Sequence, residues 1–220
     1  SKMTVQMLFL CNPNNPTGNT IPEQILTEIL QFCASKKIRV VADECFLRFH
    51  PHYEKMSCKR FLKQYPNLLI VNAFTKFYAM AGLRLGYLMT GDLSLLHAVA
   101  QQLPEWNVSS IAQRAGISAL QDTEYEKRTR QLIEKERRYL IQEFLKMGCT
   151  VFPSEADYIT FRLPQEKTGF LLKERLLEGK ILIRSCANYR NMPPDCYRIA
   201  VKQHADNEEL VRQVWRILIQ

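Results

Sequence analysis

The sequence predicts an α/β fold: a mostly parallel sheet with helices, followed by a smaller α+β lobe. Three observations carry this. Short apolar runs at Val5–Cys11, Ile38–Ala42 and Leu68–Val71 have strand length. A stretch with Ile25, Leu26, Ile29, Leu30 and Cys33 at helical spacing lies between the first two runs. Alternation of strand and helix is the pattern of a parallel sheet. Beyond a long helical stretch, several shorter strands and helices follow without that regular alternation.

Each element has a local reason. The first strand stops at the proline-rich segment Asn12-Pro13-Asn14-Asn15-Pro16-Thr17-Gly18, where two prolines fix φ and a glycine permits a tight turn. Pro22 opens the first helix. The second strand, Ile38–Ala42, stops at Asp43, and the third, Leu68–Val71, stops just before Lys76. From Leu93 to Leu120 the pattern is helical; Asp122 is placed to cap a long helix running to about Met147, and Gly148 supplies the stop. Strands are expected around Cys149–Phe152, Tyr158–Arg162, Ile181–Arg184 and Tyr197–Val201, with a helix near Lys167–Leu177 and a final helix from Asn207. The expected division is 1–121 for the sheet domain, 122–147 for a connecting helix and 148–220 for the small C-terminal domain.

Composition narrows the function. The 220 residues are 46% hydrophobic and 24% charged, enough for a sizeable core. No apolar run approaches the roughly 20 residues that span a bilayer, and the first residues lack the pattern of a signal peptide, so a cytoplasmic location is expected. Seven cysteines, without a C-x-x-C pair, fit reduced core thiols and give no support to a metal site. The net charge of +8 fits either a polyanion or a pocket for small phosphorylated ligands. The basic residues Arg128, Arg130, Lys135, Arg137 and Arg138 are interleaved with Glu126, Glu134 and Glu136, as on a solvated helix, which argues against nucleic acid.

The conspicuous polar groups Asn15, Asp43 and Lys76 each follow a strand, and ligands of such sheets lie beyond the strands' carboxyl ends. Taken singly, each has a bland reading: a proline-rich connection, a capping aspartate, a snorkelling lysine. Lys76 lies in Phe74-Thr75-Lys76-Phe77-Tyr78, and apolar neighbours that desolvate an amine favour its nucleophilic neutral form.

Together, the Asn-Pro segment, Asp43 and the stretch from Asn72 to Tyr87 resemble, in order and spacing, the fold-type I pyridoxal-phosphate (PLP) enzymes, the broad aminotransferase superfamily of class I and II. The resemblance covers essentially the whole chain and implies part of a large PLP-binding domain plus a small C-terminal domain. It implies that Lys76 holds the cofactor covalently, that Asp43 pairs with the pyridinium nitrogen, and that Asn15 donates to the ring hydroxyl oxygen. Thr75 and Arg84 match ligands of the cofactor phosphate. Arg198 matches the arginine that clamps the substrate α-carboxylate, and Arg184 is the candidate for a substrate phosphate.

Within the superfamily, the wording around residues 8–11, 75–79 and 181–189 resembles threonine-phosphate decarboxylases of cobalamin biosynthesis, with histidinol-phosphate aminotransferases as close relatives. This implies an enzyme acting on a small phosphorylated amino acid, by decarboxylation or, with the same residues, by transamination; a non-catalytic PLP-fold module is the third reading. Two departures stand out: Phe46 where many aminotransferases carry a tyrosine, and Ala73 where a hydroxyl residue often helps hold phosphate. The resemblance further implies a homodimer and a preceding segment that completes the site, without which the 220-residue chain is expected to be inactive. His50, His52, His97 and His204 match no catalytic position, and Trp106-Asn107 is a candidate to approach the pocket.

Overall fold

A computed structural model describes residues 4–167 and 171–219, the side chain of Ile219 excepted. The chain divides into two compact units. The first runs to Pro13 and resumes over Thr20–Lys127; the second joins Asn14–Asn19 to the residues from Arg128 onward.

The first unit is built on a four-stranded sheet in the order β1 (Met7–Cys11), β2 (Arg39–Asp43), β3 (Leu68–Ala73), β4 (Gly86–Thr90). The first three strands are parallel, and β4 returns antiparallel to β3. Val40, Val41 and Ala42 are buried in mid-sheet, where β-branched side chains suit the pleat. Helix α1 (Glu23–Ser35) turns Leu26, Leu30 and Cys33 onto Val40, Ala42, Leu68 and Ile70, forming the core below the sheet. Complete burial of a side chain such as Leu30 contributes ~1.5–3 kcal/mol.

The expected third strand continues to Ala73, and β4, whose Gly86 and Tyr87 fall within the Lys76 motif, was not read from the sequence. Its exposed Gly86 and Tyr87 blur the apolar pattern. The short helix α2 (Tyr53–Met56) follows β2; α3 (Leu93–Gln102) and α4 (Ser110–Gln121) divide the helical stretch, capped by the side chains of Asp92 and Ser109.

Helix α5 (Thr123–Lys146) starts where Asp122 Oδ1 accepts the Tyr125 N–H at 2.9 Å. Three helices end by the same double closure. At α1, Ile38 N–H donates to Cys33 O and Lys37 N–H to Ala34 O; at α5, Cys149 donates to Phe144 and Gly148 to Leu145. At α6 (Leu172–Glu178), Ile181 donates to Leu176 and Lys180 to Leu177. The residues that turn the chain, Lys37, Gly148 and Lys180, have φ of 55°, 78° and 61°.

The second unit carries an antiparallel sheet in the order β5 (Thr150–Val151), β6 (Tyr158–Arg162), β8 (Cys196–Ala200), β7 (Arg184–Ser185). Phe144 of α5 packs on Phe161 with ring centroids 4.3 Å apart, and Leu140, Ile159, Leu172 and Leu176 are fully buried. The strand expected from Ile181 starts at Arg184, because the Ile181 N–H is committed to closing α6. The helix expected near Lys167–Leu177 is α6 plus a short 3₁₀ turn at Gln165–Lys167; residues 168–170 lie outside the described residues.

The final helix, α7 (His204–Ile219), begins before Asn207. Asn207 sits in its first turn and reaches back, accepting from Lys202 N at 3.1 Å and donating to Lys202 O at 2.9 Å and to Glu136 at 3.0 Å. His204, which matches no catalytic position, is half-exposed but engages the buried Glu136 through Nδ1 at 3.0 Å.

Candidate active site

The carboxyl ends of the parallel strands place the first group of candidates. Cys11, Asp43 and Val71 are register partners across β1, β2 and β3; β1 and β2 end there, and β3 runs on to Ala73. Asp43 Oδ1 accepts the Cys45 N–H at 3.0 Å, the donor partner its position calls for. Burial, followed by the hydrogen bond to Asp43 and the charges of Asp43 and Cys11, pushes the Cys45 thiol up to about 12; the ammonium of Lys76 acts in the opposite direction. Asp43, Cys45 and Lys76 therefore share one electrostatic neighbourhood.

Lys76 lies in the turn that follows β3. Ala79 N–H closes this turn on Lys76 O at 3.0 Å, Met80 N–H reaches Phe74 O at 3.3 Å, and Phe74 N–H reaches Leu85 O at 3.0 Å. The flanking Phe74, Phe77 and Tyr78 are buried, but Lys76 itself is exposed, correcting the expectation that its apolar neighbours desolvate it. The reason is geometric: the turn sends the aromatic rings inward and the amine outward. Its Nζ lies 5.7 Å from the Phe46 ring centroid, within cation–π reach.

Thr75, next to Lys76, is half-buried. Arg84 is exposed, adopts φ 53° after a 3₁₀ turn at Ala81–Leu83, and donates from Nη1 to Ala81 O at 3.1 Å. That left-handed conformation costs an arginine ~1–2 kcal/mol, a strain of the kind found at functional positions. Ala73 ends β3 opposite Gly86. Trp106 is 93% exposed with φ 58°.

The second group lies within the second unit. Arg184 and Arg198 are directly opposite on β7 and β8, and Thr160 of β6 is opposite Arg198, so all three project from one face. Arg198 Nη1 and Tyr189 Oη, the latter at 3.1 Å, both donate to Asn15 Oδ1. Two donors on the amide oxygen fix its orientation and leave Asn15 Nδ2 as the donor end. Tyr158 Oη donates to Asn14 O at 2.8 Å, and the Thr160 hydroxyl donates to Pro16 O. Gly18, with φ 87°, makes its close approach to Ser154 possible: a Cβ there would stand 2.1 Å from Ser154 Oγ.

Arg184 is exposed and donates from Nη2 to Asn188 Oδ1 at 2.9 Å; its guanidinium carbon lies 5.8 Å from the Tyr189 ring centroid. That of Arg198 lies 4.9 Å from the Tyr158 ring. Sequence reasoning gave no role to Tyr158, Asn188 or Tyr189. Tyr189 and Asn188 lie in the stretch that carries the resemblance, so a signal was present; Tyr158 reads only as a strand residue.

The chemistry of the donor set fits pyridoxal phosphate: a carboxylate and a primary amine at adjacent strand ends, with a hydroxyl and a guanidinium close to that amine in sequence. Among the described residues no cluster of ligands suits a metal ion, and no helix is long and apolar enough to cross a membrane.

Comparison with known proteins gives a consistent answer. The family model "Aminotransferase class I and II" matches residues 1–214. The chain is 37% identical over 212 residues to threonine-phosphate decarboxylase of Salmonella typhimurium, spanning 96% of this chain and 57% of that protein. The crystal structure of histidinol-phosphate aminotransferase from Clostridium acetobutylicum superposes with a TM-score of 0.92 at 31% identity, covering 98% of this chain and 64% of that one. The Sinorhizobium meliloti histidinol-phosphate aminotransferase, solved in complex with pyridoxal-5'-phosphate, shares the fold with a TM-score of 0.84 at 22% identity over 97% of this chain and 57% of that one. The chain thus spans less than two thirds of these relatives' length, and over that span it belongs to the class I and II aminotransferase family.

Proposed function

We propose that this chain is the cofactor-bearing part of a PLP-dependent enzyme that decarboxylates a phosphorylated amino acid, converting L-threonine O-3-phosphate to aminopropanol phosphate in cobalamin biosynthesis. The observation that carries the substrate class is the arginine pair: Arg184 and Arg198 stand opposite each other on one sheet face, suited to a ligand with two anionic groups. The 37% identity to a threonine-phosphate decarboxylase supports the reaction.

In this reading Lys76 holds the cofactor by its amine, and the Asp43 carboxylate keeps the ring nitrogen protonated. Asn15 Nδ2 donates to the ring oxygen, a function it serves without help from Phe46. Thr75 and Arg84 bind the cofactor phosphate. Bound PLP supplies an electron sink for the bond broken at the substrate Cα. Arg198 would clamp the substrate carboxylate and Arg184 its phosphate, and the two together would select which bond at Cα is presented for cleavage. Lys76, once displaced from the cofactor and protonated, would return a proton to Cα as an ammonium group.

Transamination is the second reading, favoured by the TM-score of 0.92 to a histidinol-phosphate aminotransferase. The same residues would serve it, with Lys76 moving the Cα proton. The full-length protein, which we expect to be a cytoplasmic homodimer, is assayed with L-threonine O-3-phosphate. Release of CO₂ together with aminopropanol phosphate is the expected outcome; a keto acid formed without CO₂ would transfer the assignment to the aminotransferases.

A further inference from the structure

The turn that presents Lys76 is gripped from behind by a buried polar network. Phe77 and Tyr78, the two residues after Lys76, are 2% and 8% exposed. Tyr125, in the first turn of α5, donates from its hydroxyl to Phe77 O at 2.8 Å and stacks on the Tyr78 ring at 6.1 Å. The Tyr78 hydroxyl donates to Glu126 Oε1. The same carboxylate oxygen accepts from Arg48 Nε at 3.2 Å and Nη2 at 2.5 Å. Arg48 is sandwiched among aromatic rings, with its guanidinium carbon 5.1 Å from Tyr53, 5.2 Å from Tyr78 and 5.7 Å from Phe77.

Arg48 sits in the 3₁₀ turn Leu47–Phe49, five residues beyond Asp43. The chain segments that carry Asp43 and Lys76 are therefore joined twice. In front, β2 and β3 lock Asp43 beside Val71. Behind, Arg48 and Tyr78 meet on one carboxylate. An ion pair with a shared oxygen, a fork donor and a stacked aromatic shell has few alternative geometries. Because the strand register ends at Ala73, the front lock does not reach Lys76; the rear one reaches its neighbouring residues.

We propose that Tyr78, Glu126 and Arg48 are positioning residues that set the Lys76 amine relative to the Asp43 carboxylate, a role that rests on Lys76 being the cofactor lysine. Other ionisable groups at the network are Tyr53, with Glu54 beside it, Tyr87 and Tyr125; Cys11 and Cys45 accompany Asp43 and Lys76. Burial, and then the hydrogen bond to Glu126, raise the Tyr78 hydroxyl well above its ordinary range, so it remains a donor throughout the working pH.

The test uses the full-length protein with added PLP and the variants Tyr78→Phe, Glu126→Gln and Arg48→Lys. Borohydride trapping followed by peptide mass mapping reads capture on Lys76, and absorbance reads the pH midpoint of the cofactor bound there. Asp195→Asn, which removes the Arg162–Asp195 ion pair in the other unit, controls for loss of stability alone. Expected is a midpoint shift of about half a unit or more, corresponding to a change of about threefold in the protonation equilibrium, in each network variant. The control keeps the wild-type midpoint. Tyr78→Phe removes only a hydroxyl, so a folded Tyr78→Phe protein with unchanged midpoint and unchanged capture overturns the positioning role while leaving Lys76 as the cofactor lysine. Wild-type protein that captures no cofactor on Lys76 overturns the functional reading and this inference with it.

Discussion

Asn15 shows how one amide can be given a direction. Its oxygen is occupied by Arg198 and Tyr189, and the donor end is what remains. Removing the Arg198 guanidinium should therefore act on both substrate and amide. Arg198→Ala is expected to lose ~1.5–3 kcal/mol of substrate affinity, roughly 10- to 150-fold, read as a rise in substrate Kd by calorimetry. Gly18 is constrained by space rather than charge. Gly18→Ala must place a methyl against Ser154 at φ 87°, and a loss of more than ~1 kcal/mol in denaturant unfolding is expected. Neither constraint was legible locally: the sequence announces a proline-rich turn at 12–18, but its hydrogen-bond partners lie up to 183 positions away.

At the scale of elements, the sequence was most readable where a helix end follows a local rule. Asp122 and Gly148 were identified as the limits of α5 because capping and left-handed stops are written in single residues. The Asp122→Ala variant should lose about 1 kcal/mol, measurable as a lower unfolding midpoint. The same closure at Lys37 and Lys180 was not anticipated, since a lysine gives no sign of positive φ. Its consequence reached further, for the Ile181 N–H committed to it delays β7 to Arg184. Replacing Lys37 by glycine relieves the strained conformation and is expected to stabilise the protein by up to ~1 kcal/mol in the same assay. β4 escaped notice for a different reason: an edge strand with an exposed Gly86 and Tyr87 has no apolar alternation to reveal it.

For the whole molecule, acid sensitivity has an identifiable source. Burial alone would raise the Glu136 carboxyl, but donation from Asn207 and His204, with the positive charges of His204 and Lys135, outweighs it and holds the group below the usual carboxylate range. A carboxylate depressed in the folded state contributes stability above its unfolded pKa of about 4.3 and loses it as pH falls through the lower folded value. The wild-type protein should therefore lose stability below about pH 4, and Glu136→Gln should flatten that part of the pH–stability curve while lowering stability at neutral pH. The aminotransferase fold was legible because three strand-end motifs stand in order. What the sequence withheld was cooperation between distant segments: Arg48, Tyr78 and Glu126 occupy three separate stretches, and none is unusual in its own surroundings.

The second unit has a broken pedigree along the chain, since its first six residues are spelled out more than a hundred positions before the rest. It cannot be dissected as one continuous fragment. A piece beginning at Arg128 would keep every strand of its sheet yet lose the hydrogen bond from the Thr160 hydroxyl to Pro16 O, a net loss of ~0.5–1.5 kcal/mol. During synthesis the early segment must likewise wait for the C-terminal strands to emerge before its contacts can form, so the second unit is the part of this molecule that only a finished chain can complete.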